Sequence, residues 1–178
     1  LEAKPAYQGV NSSVVLPIVF EHPQSDKSNA FASMAMLLST IGYPMTQQEL
    51  ATVLDMNNIE SKQIAEELNS IVKDSNYHFT SEYHDFNVET IRNHVVEALN
   101  VGNPILVHTV ETSSDWYIEG HGLMGSYNEY CLVGDYFDYG AEVTIVNMNQ
   151  GIYDGFNLNQ KVSIQALSNA TGGSDYVW

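Results

Sequence analysis

The segment 30–38 constrains this fold more than any other part of the chain. It is apolar except at Ser33, it follows Ser28 and Asn29, which both favour helix N-caps, and Gly42 comes shortly after it. On a helical period the apolar side chains cover the whole circumference rather than one stripe. Such a helix must be buried on all sides, so we expect a central core helix with other elements packed around it.

Helical patterns dominate the first part of the chain, and strand patterns dominate the second. Thr46 and Glu49 form a capping-box pair, residues 61–72 carry an apolar stripe, and Asn87 is placed to cap a further helix. A turn near Asn128 is expected to fold two of the strands into a hairpin. Helices followed by strands indicate an α+β fold, with a helical half packed on an antiparallel sheet. The predicted strands are 14–20, 105–110, 121–127, 130–133 and 143–146.

Length and charge exclude several classes of protein. The 178 residues suit one folded domain, and we expect an extended lead-in over 1–13 and a single domain over 14–178. Lys and Arg number 6 against 22 Asp and Glu, for a net charge of −16. Binding to nucleic acid or to an anionic membrane surface needs clustered Lys and Arg, so neither is expected. No apolar run reaches the roughly 18–20 residues of a membrane helix, so membrane insertion is not expected either.

The chain has one cysteine, Cys131, which excludes an internal disulfide framework and a multi-thiolate zinc site. His78, His84 and Asp85 are close in sequence but match no compact metal-ligand spacing, and no glycine-rich phosphate loop is present. We therefore expect no metal and no cofactor. Residues 1–10 lack the pattern of a signal peptide. The composition fits a secreted or cell-surface bacterial protein and also fits a cytoplasmic one.

A first motif precedes the buried helix. Gln24 lies six residues before position 30, which is followed by Phe31 and Ala32. This order resembles the papain-like cysteine peptidases, and most closely their compact bacterial branch that processes bacteriocin leaders, the double-glycine type. The resemblance implies a nucleophilic cysteine at position 30, because a helix N-terminus stabilises a thiolate. It also implies that the Gln24 amide helps to bind the oxyanion.

Position 30 is Ala30, however, and alanine cannot attack a carbonyl. Either alanine replaces a natural cysteine in a variant made inactive, or the chain is a natural pseudoenzyme. An alignment shifted by one residue would put Asn29 at the nucleophile position and would lose the fit of Gln24 and Phe31. In the remaining interpretation, this is only a well-capped core helix with Gln24 at the surface.

A second motif lies downstream. Residues 102–107 resemble the strand that precedes the catalytic histidine of these peptidases. His121 then follows a glycine and opens an apolar strand, and Asp135 follows the next apolar strand. The resemblance implies that His121 is the catalytic base and then acid, and that Asp135 orients it, with the turn near Asn128 bringing the two together. Asn147 is the alternative third member.

The other candidate groups are assigned to the structure of the protein rather than to its chemistry. His108, in a predicted strand, is structural or lines the cleft. Cys131 lies in an apolar run and is expected to be a buried core thiol rather than the nucleophile. The remaining histidines are interpreted as surface or structural: His22, His78, His84 and His94.

Together the motifs imply a papain-like fold and a cysteine-peptidase-like hydrolase that acts on peptide bonds by Cys-His-Asp chemistry. With Ala30 it is inactive as written, and its partner is a peptide or protein substrate. The alternative is a natural pseudoprotease that binds peptides or proteins. An amidase or acyltransferase uses the same triad logic, and the sequence does not separate it from a peptidase.

Overall fold

The computed structural model describes residues 11–21, 24, 29–55, 59–111, 127–146 and 159–178. Its helices are α1 (Asn29–Thr40), α2 (Gln47–Val53), α3 (Ser61–Ile71), α4 (Val88–Asn100) and α5 (Ile164–Thr171). Its strands are β1 (Val14–Val15), β2 (Ser81–Tyr83), β3 (Ile105–Glu111), β4 (Tyr127–Phe137), β5 (Glu142–Val146), β6 (Asn159–Ser163) and β7 (Asp175–Val177). A short 3-10 turn, Asp138–Gly140, joins β4 to β5.

The described strands form one antiparallel sheet in the order β2-β7-β3-β4-β5-β6, and β1 pairs with the last part of β4. β7 is last in the chain but lies between β2 and β3. Separate helices on an antiparallel sheet confirm the predicted α+β class.

Helices cover both faces of the sheet. Successive side chains of a strand point to opposite sides, and β4 separates two cores in this way. Tyr130 and Leu132 belong to the core formed with α1, α2 and α3, which we call the α1 face. Cys131 and Val133 belong to the core formed with α4 and α5, which we call the α4 face. The predicted helical half is therefore α1–α3, and α4 and α5 cover the opposite side.

α1 is the central helix that the sequence predicted. Every residue of 30–38 is buried, including Ser33. The Ser33 hydroxyl donates to the carbonyl oxygen of Tyr130 at 2.8 Å. The one polar side chain of this segment is therefore satisfied, as burial requires.

The predicted helix starts at α2 and α4 are confirmed. Thr46 Oγ1 accepts from the Glu49 N–H at 3.1 Å, and a Glu49 carboxylate oxygen accepts from the Thr46 N–H at 3.1 Å, which completes a capping box. Asn87 Oδ1 accepts from the N–H groups of Glu89 and Thr90. These bonds satisfy N–H groups that no carbonyl within the helix can reach.

The turn predicted near Asn128 is wrong, because Asn128 lies inside β4 opposite Val110. β4 is continuous since β3 pairs with its first part and β1 with its last part, so the whole strand has a partner. The predicted strand 14–20 is reduced to β1, and its remainder is an extended arm whose Leu16 N–H donates to the Gly134 carbonyl at 3.0 Å. The predicted strand 121–127 lies almost entirely outside the described residues.

Candidate active site

The first turn of α1 carries the predicted nucleophile position. α1 begins at Asn29, and Ala30 is 2% exposed within the α1-face core. The N–H groups of a first helical turn lack partners within the helix, and the helix macrodipole adds partial positive charge there. A thiolate at position 30 would be stabilised by this location, whereas the Ala30 methyl group has no nucleophilic atom.

α1 is anchored to the sheet one turn further on, by the hydrogen bond from Ser33 to the Tyr130 carbonyl. Three helical residues rise about 4.5 Å, so position 30 lies within one turn of this anchor. Tyr130 is therefore the residue of β4 to which the first turns of α1 are anchored.

Gln24 is exposed, and its backbone is held against α2. Its N–H donates to Gln47 Oε1 at 3.2 Å, and Gln47 Nε2 donates to Glu21 Oε1 at 2.8 Å. Because Gln47 is buried, these bonds attach the chain before α1 to a fixed point of the core. The role of the Gln24 side chain in binding an oxyanion stays a prediction.

Asp135 is half-buried against the N-terminal arm and β5. It lies five residues beyond Tyr130, about 16 Å along the strand at the usual rise per residue. Burial raises the pKa of the Asp135 carboxyl, while hydrogen bonds with the Leu16 backbone and the Thr144 side chain oppose that shift. The described hydrogen bonds of Asp135 therefore connect it to the arm and to β5 rather than to α1.

His121 and Asn147 lie outside the described residues. The pairing of His121 with Asp135 and the alternative role of Asn147 stay predictions. The last described residue before Asn147 is Val146, which pairs with Leu132 and belongs to the α1-face core.

A pocket that the sequence did not reveal opens between the start of α3 and the sheet, on the α1 face. We call it the α3 pocket. Its volume is about 400 Å³, and the residues that line it include Glu60, Ser61, Tyr83, His108, Tyr130 and Asp175. Of the two roles left open for His108, the structure therefore places its side chain at a pocket.

Two stacked rings form one wall of the α3 pocket. His108 and Tyr130 are opposite each other on β3 and β4, and their ring centroids are 4.4 Å apart at 6° between planes. His108 Nδ1 is 2.6 Å from Ser174 Oγ. The Tyr130 hydroxyl donates to the Ile59 carbonyl at 3.4 Å and lies 3.4 Å from Ser61 Oγ. These contacts join the sheet to the start of α3.

The same wall is uncharged at neutral pH. Burial lowers the pKa of His108, and the Asp175 charge opposes this only in part. Burial also raises the pKa of Tyr130; the Ser61 hydrogen bond opposes this shift, and the charges of Asp175 and Glu60 add to it. A neutral imidazole and a neutral phenol therefore face a region of negative potential.

Cys131 is confirmed as a core thiol. It is fully buried on the α4 face, with its Sγ 3.8 Å from Thr109 Oγ1. Its side chain points away from α1, so it is not placed to act for position 30.

Two of the other histidines have structural partners on the α4 side. His84 is buried, with Nε2 2.8 Å from Ser168 Oγ, and His94 Nδ1 is 2.6 Å from the Tyr176 hydroxyl. His78 is exposed, and His22 lies outside the described residues.

In the described part of the chain, no group of three or more His, Cys, Asp or Glu side chains is arranged to hold a metal ion. None of the described helices has the length and apolarity that a bilayer crossing requires.

Comparisons with known proteins identify the architecture. No protein-family model and no curated protein matches the chain. Among solved structures, a C39-like peptidase from Bacillus anthracis superposes with a TM-score of 0.64 at 13% identity, over 94% of this chain and 96% of that one. The fold is that of a papain-like peptidase of the C39 type.

Two further solved structures share this papain-like, C39-type fold. A double-glycine-motif protease from an AMS/PCAT transporter, in complex with a leader peptide, has a TM-score of 0.59 at 8% identity, over 92% of this chain and 91% of that one. Xylellain, a cysteine protease from Xylella fastidiosa, has a TM-score of 0.57 at 12% identity, over 98% and 88%. The resemblance inferred from the motifs is thus confirmed at the level of fold.

Proposed function

We propose that the protein is a papain-like peptidase-type hydrolase whose cleft binds peptides, and that its Ala30 form binds them without cleaving. The observation that carries this proposal is the place of Ala30, buried in the first turn of α1 and one turn from the Ser33 anchor. Papain-like chemistry needs a thiolate at such a turn. Cys131, the single thiol of the sequence, lies on the α4 face.

A cysteine at position 30 would supply the missing step. His121 would take the thiol proton, and the thiolate would attack the peptide carbonyl carbon. Gln24 and the position-30 N–H would donate to the oxyanion. A third side chain, for which Asn147 is the alternative to Asp135, would hold the imidazole. His121 would then give its proton to the leaving amine, and water would hydrolyse the thioester. With Ala30 no S–C bond forms, and the reaction does not proceed beyond the bound peptide.

Two observations support a peptide as the ligand. The double-glycine-motif protease that shares this fold was solved with a leader peptide. The net charge of −16 attracts basic peptides at long range and repels acidic ones.

The test is to introduce Ala30→Cys and to measure labelling by a peptide-like, thiol-directed electrophile at neutral pH. Ser39→Cys is the matched control, because Ser39 is exposed on the same helix. We expect position 30 to be labelled about 10–100 times faster than position 39, because the helix terminus and a histidine activate it. Adding His121→Ala to Ala30→Cys should remove most of that excess.

The result that overturns the catalytic assignment is equal labelling of positions 30 and 39, unaffected by His121→Ala. The protein without either substitution reports the background from Cys131, which burial should keep near zero.

A second function, a natural pseudoprotease that acts as a binding module, is favoured by the surroundings of Asp135. The hydrogen bonds described for Asp135 involve the Leu16 backbone and the Thr144 side chain, which attach it to the N-terminal arm and to β5 rather than to α1. Binding of an unreactive peptide analogue, combined with slow labelling that does not depend on His121, would identify the binding module.

A further inference from the structure

The α3 pocket is linked to α1 through Tyr130, and none of its lining residues has a role in the proposed thiol chemistry. Tyr130 forms its wall, and the carbonyl of the same residue receives the Ser33 hydrogen bond. Since Ser33 is one helical turn from Ala30, Tyr130 connects the pocket to the helix that carries position 30.

Two carboxylates from different elements meet at this pocket. Glu60 immediately precedes α3, and Asp175 begins β7. Among the described residues neither carboxylate forms an ion pair. Both charges act on the Tyr130 phenol, so they share one electrostatic environment. Lys62 also lines the pocket, and two carboxylates against one ammonium group leave the described lining with one excess negative charge.

The pocket also offers an aromatic surface. The Tyr83 side chain is 64% exposed and lies across from Asp175 in the β2–β7 pairing. A cation over an aromatic face is attracted by the ring quadrupole. A guanidinium group can stack on a ring while its N–H groups donate to a carboxylate in the plane. Tyr83 and Asp175 together provide both kinds of contact.

We propose that the α3 pocket binds a basic side chain, arginine or lysine, of a peptide held in the cleft. Glu60 and Asp175 accept hydrogen bonds from the cationic group, and Tyr83 covers its face. Neutral side chains of the same length lose the charge contacts, and acidic ones are repelled. The inference specifies the substrate class of the proposed function and rests on it.

The experiment titrates the protein with N-acetyl-arginine amide and, separately, with N-acetyl-citrulline amide, which has the same shape without the charge. Backbone NMR shifts of Ser61 and Ser174 report binding at the pocket. We expect the arginine compound to bind at least about fivefold more tightly at pH 7, the scale of a partly exposed charge pair. Asp175→Asn and Glu60→Gln should each reduce that preference by about threefold. Glu66→Gln removes an exposed carboxylate from the same helix, α3, and should leave the preference unchanged.

Equal binding of the two amides, or an equal loss in Glu66→Gln, would overturn the pocket assignment. The probes contain no electrophile, so the result does not depend on the residue at position 30. If the two amides bind equally while Ala30→Cys is labelled rapidly and in a His121-dependent way, only the basic-side-chain pocket is refuted. If the arginine amide is preferred while labelling of Ala30→Cys is slow, only the thiol chemistry is refuted.

Discussion

Polar side chains form hydrogen bonds on both faces of the sheet, but only on the α1 face do they also line the α3 pocket. On the α4 face they bond to each other: His84 to Ser168, His94 to Tyr176, and at the rim Trp178 Nε1 donates to a Glu82 carboxylate oxygen at 2.6 Å. On the α1 face, Tyr130 and His108 form one wall of a pocket where carboxylates gather. The α4 face therefore supports the fold, and the α1 face is where we propose that ligands bind. The following substitutions test that division.

The largest expected effect is on the α4 face. Ile145 is fully buried there, and Ile145→Ala should lower the free energy of unfolding by about 2–4 kcal/mol through lost burial and the cavity left behind. Denaturant unfolding measures it, with the exposed Val101→Ala as control. Binding of N-acetyl-arginine amide to the folded protein should not change. A cost no greater than that of Val101→Ala would show that the α4 face is not close-packed.

A smaller effect is expected at the anchor of the α1 face. Ser33→Ala removes the bond to the Tyr130 carbonyl and should cost about 1–2 kcal/mol in unfolding. Because this bond holds the first turns of α1 on β4, it should also slow labelling of Ala30→Cys, which Ile145→Ala should not do. Ser39→Ala, at an exposed position of the same helix, is the control. Unchanged labelling would mean that the anchor does not position residue 30.

Acid should weaken the α4 face through His84. Burial lowers the pKa of His84 from its ordinary 6.5, with a partial opposing effect from Asp85. Below about pH 6.5 the unfolded chain therefore binds a proton that the folded protein resists, and stability falls as pH falls toward the folded-state pKa. The slope is at most about 1.4 kcal/mol per pH unit for this group. His84→Gln should flatten the fall measured between pH 7 and 5, and an unchanged slope would count against the assignment.

The smallest effect is expected at the exposed end of β5. Lys161 Nζ lies 3.8 Å from Glu142 Oε2, and both side chains are about half exposed. Glu142→Gln should change the free energy of unfolding by less than about 0.5 kcal/mol, because solvent screens such pairs. Thermal unfolding at low and high salt measures it. A loss above about 1 kcal/mol that persists in high salt would mean that the pair is not solvent-screened.

Local patterns in the sequence were sufficient for the helices that surround the site. The all-round apolar character of α1 and the capping residues Thr46 and Asn87 are short-range signals, and each is confirmed. The first turn of α1 could therefore be singled out from the sequence. The short strands β2 and β7 could not, because three residues show no period and only their partners define them.

The α3 pocket could not be predicted for the same reason. His108 and Ser174 are 66 residues apart and meet only because β7 pairs with β3. The polar residues around Asn128 resembled a turn, although pairing with β3 holds them in a strand. Because β4 is continuous at Asn128, it lacks the hairpin expected to bring Asp135 back toward His121. Long-range pairing, rather than local propensity, decides which side chains share the site.

The position of β7 between β2 and β3 has a consequence for synthesis of the chain. Both neighbouring strands, β2 and β3, are synthesised long before residues 175–177. The sheet therefore lacks the strand between them until this later segment has been made. Until then β2 and β3 present unpaired backbone edges, and Asp175 and Ser174 are missing from the α3 pocket. Completion of the sheet and assembly of the pocket therefore depend on the same late pairing between segments distant in the chain, and pairings of this kind slow folding in general.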